Sequence, residues 1–158
     1  MRAFVRRHAA AVSVTAVLAA GLVLFVAVWF QPQKLFLDQT VRETAAPGEV
    51  LAESSFRSRA HHASGSVRVL ALANGDRVVR LEGLDVENGP DLYLTLAQAP
   101  ADAPNGAFET YVSLGRLKGN KGDQTYAIPA HVDLSRYASV AIWCKRFSTL
   151  FGVASLRG

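Results

Sequence analysis

The sequence predicts an all-β extracytoplasmic domain, an antiparallel β-sandwich of jelly-roll or immunoglobulin-like type, preceded by one transmembrane α-helix. Three observations predict it. A run of 22 residues from Ala9 to Phe30 contains no charge. After Phe56 the hydrophobic period changes to two, with short runs separated by Gly, Pro and Asn turn signals. The chain of 158 residues has a single cysteine, so the expected domain must hold together through its core and not through internal disulfides.

Residues 1–8 form a short basic N-terminus with Arg2, Arg6 and Arg7. Residues 9–30 come next. A helix of that length reaches about 33 Å, against a hydrocarbon core of about 30 Å. Eleven of its residues are Val, Leu or Phe, which favours insertion by about a few kcal/mol. A cleaved signal peptide shares the basic start. Its apolar stretch is shorter, however, and ends in a small-x-small site. Here the run ends in Trp29-Phe30-Gln31-Pro32, an interfacial aromatic followed by a helix-stopping proline. The pattern favours an uncleaved anchor. The Lys/Arg bias places the N-terminus in the cytoplasm and the domain outside, at the cell membrane, with the lipid bilayer as the first partner.

Residues 31–55 are mixed and polar, with Pro47-Gly48 marking a turn. They read as a stalk with a short helical piece, in which Leu35, Phe36 and Leu37 could dock on the membrane or on the domain.

Residues 56–158 form the expected sandwich. Ser66–Leu72 and Arg77–Leu84 are alternating runs joined by Asn74-Gly75-Asp76, the strongest short hairpin signal. Further runs are Asp91–Leu96, Tyr111–Leu117, Gln124–Ile128, Ser139–Cys144 and Thr149–Leu156. A domain of about a hundred residues can bury a sufficient core. No helix beyond a turn or two is expected there.

The formal charge of +4 is not a nucleic-acid signature. Three of the seventeen Lys and Arg precede the apolar run, leaving fourteen against thirteen acids. A near-neutral mixed surface gives no electrostatic case for nucleic acid.

Few residues carry chemistry. Asp85, Glu87 and Asp91 surround Gly89-Pro90, but their spacing matches no calcium loop, and turn carboxylates are usually solvated. His61 and His62 are adjacent and would point to opposite faces of a strand, and His131 is distant. No zinc pattern results, so no metal is expected. Gly115 to Gly122 is glycine-rich and basic, but lacks the ending of a phosphate loop and reads as a β-turn. No catalytic triad, nucleophile elbow or C-x-x-C pair occurs. Enzyme chemistry therefore has no constellation to support it.

Trp143-Cys144 is the most informative pair. Alternation puts Cys144 on the face of Val140 and Ile142. On that face the thiol is a small, inert hydrophobe. Yet it ends its strand just before Lys145 and Arg146, and cations beside a partly exposed thiol raise its reactivity. Both readings stand on the residues alone.

The chain also resembles a known family, the DM-thirteen or electron-transfer DM domain, from about Ser54 to Leu156. The matching pieces are His62-Ala63-Ser64-Gly65, Gly89-Pro90-Asp91-Leu92, Leu114-Gly115 with Leu117-Lys118-Gly119, Gln124-x-Tyr126-x-Ile128-Pro129, Ser139-Val140-x-Ile142-Trp143-Cys144, and Phe151-Gly152-x-Ala154-x-Leu156. The resemblance implies an extracytoplasmic sandwich acting in electron transfer. In it Cys144 would serve as a redox-active thiol or a haem ligand, with His62 as second site residue and a redox or surface protein as partner. The alternative is a non-enzymatic protein- or ligand-binding sandwich at the cell surface.

Overall fold

A computed structural model describes residues 2–29 and 37–157. It divides into two compact units, one up to Phe36 and one from Leu37 onward.

The first unit is a helix, α1, from Arg2 to Trp29. Among the described residues, no helix is long and apolar enough to cross a membrane. The expected span over 9–30 therefore has no support there. Phe30 and residues 31–36 of the expected stalk, Leu35 and Phe36 included, lie outside the described residues.

The second unit consists of two sheets. Its strands are β1 (Thr40–Arg42), β2 (Gly48–Ser55), β3 (Arg57–Ser58), β4 (Ala63–Leu72), β5 (Arg77–Val86), β6 (Leu92–Ala97), β7 (Tyr111–Arg116), β8 (Lys121–Ile128), β9 (Ser139–Cys144) and β10 (Thr149–Ser155). One sheet has the order β1-β8-β5-β4-β2, the other β3-β10-β9-β6-β7. All seven runs expected after residue 56 are strands. The β4–β5 hairpin turns at Asn74-Gly75, as its residues dictate, with Gly75 at φ 85°.

Two expectations change. The segment expected as a stalk carries β1 and β2 of the first sheet. β2 is an edge strand whose Val50 and Leu51 are both exposed at a bulge, so it shows no period of two. The sandwich is also not wholly antiparallel, because β1 pairs parallel to β8. Gly122 makes this pairing feasible. A Cβ there would lie 2.0 Å from the Val41 carbonyl oxygen, and its φ of 90° suits glycine.

The main core lies between the sheets. Val67, Val69, Val79 and Leu81 of the first meet Leu94, Leu96, Val140 and Ile142 of the second. Such packing follows directly from alternation, each strand giving every second residue to the interior. A second apolar cluster forms on the outer face of the second sheet. There the β6–β7 connection and its short 3₁₀ helix, Asn105–Glu109, bring Phe108 against Trp143, Leu150 and Val153. Arg59 fastens that connection through bonds from its guanidinium to the carbonyls of Ala101 (2.8 Å) and Ala103 (2.7 Å).

Candidate functional site at the Cys144 end

Cys144 is the last residue of β9. It pairs with Leu92 of β6 on one side and Thr149 of β10 on the other. Its side chain points inward, in one cluster with Val140, Ile142, Leu92 and Phe151, and it is 0% exposed. The thiol is free. Trp143, the preceding residue, faces the other way into the Phe108 cluster, with Tyr111 tilted against it at 6.2 Å.

His62 and Cys144 do not form one site. The His62 side chain is exposed, and only its backbone carbonyl is tied down, accepting from the Glu87 N–H at 3.0 Å. The histidine that reaches the core is His61. Its ring stacks on Phe151 at 4.0 Å, and its Nδ1 lies 3.2 Å from Glu87 Oε1. Phe151 is the extra residue of a bulge, because β10 pairs Leu150 with Trp143 but Gly152 with Ile142. The bulge turns Phe151 inward between His61 and the sulfur's cluster. A Cβ at Gly152 would lie 2.3 Å from the Ala63 Cβ, so glycine is what lets β4 approach. The signal for this arrangement was present in Phe-Gly within a strand, which marks a bulge, and in the paired histidines, one of which had to face inward.

The carboxylates around Gly89-Pro90 have separate side-chain partners. Asp91 pairs with Arg116, Glu87 with His61, and Asp85 with Lys121. Among the described residues, no group of His, Cys, Asp and Glu could hold a metal ion. Tyr93, missed in the sequence, collects two cations: Lys145 Nζ stands 3.7 Å from its ring centroid and the Arg116 guanidinium 5.9 Å.

The glycine-rich turn before β8 is held from inside. Gln124, wholly buried, donates to the Gly119 carbonyl at 2.8 Å, and its Oε1 accepts from the Lys118 N–H at 3.2 Å and from the Tyr126 hydroxyl at 2.6 Å. Burial pushes the Tyr126 phenol up to about 12, so it stays a donor. Asn120 secures the start of the domain. Its amide donates to Asp38 Oδ1 at 2.7 Å and to the Val86 carbonyl at 3.2 Å, and its Oδ1 accepts from the Gln39 N–H at 2.7 Å.

The residues do not fit a haem at Cys144. Axial ligation needs a sulfur that faces open volume, and this one is sealed among side chains. The two described clefts lie elsewhere. One is lined by residues including Leu51, Val69, Leu134 and Tyr137, the other by Arg57, Gln98 and Pro100 among others.

No curated protein and no solved structure matches the chain. A family model does, described as electron transfer DM13, over residues 55–156. The matched stretch starts at the end of β2 and closes one residue after β10, so it takes in the bulge at Phe151, the Gln124 clamp and the Trp143-Cys144 strand end. Matched by this model over most of its length, the chain belongs to the electron transfer DM13 family.

Proposed function

We infer that this chain is an electron-transfer module held outside the cytoplasm by residues 9–30, with Cys144 as its redox thiol. The observation that carries the reading is the family membership together with the position of Cys144. The chain's one sulfur nucleophile ends a central strand, one residue before the exposed turn Lys145–Ser148. The uncharged run before Gln31 and the arginines ahead of it support the anchor and its orientation.

Thiol chemistry here requires opening. A thiolate attacks a partner's disulfide sulfur, forming one S–S bond as the other breaks and releasing the partner's second thiolate. With Cys144 sealed, attack waits for the ends of β9 and β10 to part at the turn. Local openings of that kind cost less than global unfolding.

A second reading draws on the same burial. A sulfur walled in by Val140 and Ile142 packs as a hydrophobe, and the module then binds a surface protein or ligand without chemistry. An apolar cleft of about 320 Å³ beside Leu51, Leu134 and Tyr137 favours it.

Thiol-probe kinetics on the full chain in detergent separate the two. The redox reading expects Cys144 to react slowly with an aromatic disulfide reagent, faster as urea rises through concentrations that leave the far-UV spectrum unchanged. No Soret band is expected on adding haemin. Complete protection of the sulfur up to the global transition would sink this reading and leave the binding module.

A further inference from the structure

We propose that the apolar cleft at the β2 edge takes an anionic amphiphile, a fatty-acid-type ligand whose chain fills the cleft and whose carboxylate meets Arg157. This rests on the binding reading above and gives its cleft a ligand class.

The cleft forms at an open edge of the sandwich. β2 ends the first sheet, and Leu51 is its bulge residue, because Val50 pairs with Leu70 and Ala52 with Val69. The extra residue is unpaired, and Leu51 stays 47% exposed. Val69 of β4 lines the same cleft, and the segments before β9 and after β10 add Leu134, Tyr137 and Leu156. The result is about 320 Å³ of mostly apolar volume, within the range of small-ligand pockets.

Apolar volume by itself selects no occupant; Tyr137 narrows the choice. It is 9% exposed, and its hydroxyl has no hydrogen-bond partner among the described residues. A buried phenol usually finds one. Nor is the oxygen sealed, since the sealed, unpartnered side-chain atom among the described residues is Arg68 Nε. The donor therefore keeps contact with open volume, and the open volume that Tyr137 lines is this cleft. A ligand oxygen there would satisfy it.

Charge sets the sign of the ligand. Arg157 lines this cleft and also the adjoining one of about 480 Å³, which Arg57 lines too. The Arg157 guanidinium donates to the Ser135 carbonyl, which holds it at the rim with further N–H groups to spare. Neither arginine pairs with a carboxylate among the described residues, although Asp102 lines the second cleft. A guanidinium fork matches a carboxylate in shape and charge. Two unpaired forks beside an apolar slot fit a ligand with an alkyl chain and one acidic head.

The test places the full chain in zwitterionic nanodiscs with a diazirine-bearing fatty acid or with the alcohol of the same chain. After irradiation, adducts are mapped by peptide mass spectrometry. They should fall on the peptides that carry Leu51, Leu134 and Tyr137, and the acid should label several-fold more than the alcohol. Arg157→Gln combined with Arg57→Gln, both at exposed positions, should remove that preference. Tyr137→Phe keeps the ring in place and should weaken labelling by both compounds. Equal labelling of the cleft by acid and alcohol in the parent chain, or a preference that survives loss of both arginines, overturns the anionic ligand while the binding reading stands. Labelling confined to α1 by both compounds overturns the cleft as a ligand site, and removes the support it lends that reading.

Discussion

The outer faces of the two sheets solve the same problem by different means. Each is the side turned away from the main core. On the second sheet the face is covered by apolar side chains, with Ala97, Ala141, Trp143, Leu150 and Val153 buried beneath the Phe108 connection. On the first sheet it is crossed by polar groups. The register aligns Glu53 with Arg68, Arg68 with Arg80, and Arg80 with Thr125. Two arginines thus stand directly opposite each other, an arrangement that is unfavourable by itself. Carboxylates offset it: Glu82 pairs with both arginines, and Asp123 lies 3.7 Å from Arg80. A hydrophobic cover tolerates little loss of volume, whereas a charged crossing depends on balance. The two faces should therefore fail differently.

The largest effect is expected where volume is lost. Phe108 is 1% exposed and is the main aromatic group of the cover. Phe108→Ala should cost about 3–5 kcal/mol, from lost transfer energy and an incompletely collapsed cavity. Urea denaturation followed by circular dichroism measures it. A loss below about 1 kcal/mol would mean that the connection contributes no real cover.

On the first sheet, Arg80 is the informative position. Its side chain is 4% exposed, and its guanidinium serves Glu82, Asp123 and the Thr125 hydroxyl, the last at 3.1 Å. Arg80→Ala should cost about 2 kcal/mol. This is less than for a fully buried ion pair, because both carboxylates remain partly in water. The distinguishing measurement is a double variant. Arg80→Ala combined with Glu82→Gln should cost less than the sum of the single changes. Strict additivity would show that the crossing is not a coupled network.

These faces also explain what the sequence could reveal. Alternation exposed all the central strands, because each presents one greasy side to the core. The outward residues carry no such label. Trp143 reads equally well as a covered or a bare residue until the connection after β6 is known to fold back over it. Arg80 reads as a solvated strand charge until Arg68 is known to oppose it. β2 escaped notice for the related reason that an edge strand with a bulge loses the period of two. At the Cys144 end, the inward face of the sulfur followed from the period of its strand. The choice of His61 over His62, and the meeting of Asp38 with Asn120, depend on contacts such as His61 on Phe151 and Asn120 on Asp38, the latter 82 apart in sequence, which no local pattern encodes.

The smallest expected effect, and the sharpest separation of the two faces, comes from pH. The bond from Arg68, followed by its charge and that of Arg80, holds the Glu82 carboxyl below its usual value, outweighing the opposing effect of burial. A carboxyl lowered in the folded state contributes stability above its unfolded pKa near 4.5, and loses it as pH falls through the lower folded value. Acidification below about pH 4.5 should therefore loosen the first sheet's outer face, exposing the β4 and β5 amides to faster hydrogen exchange once the intrinsic pH dependence of exchange is removed. The side chains buried in the Phe108 cluster include no carboxylate, so the amides of β9 beneath it should keep their protection over the same range. In Glu82→Gln the acid-induced change at β4 and β5 should be reduced. Equal loosening of both sheets in the parent chain would instead place acid sensitivity in a global transition and not in this one carboxylate.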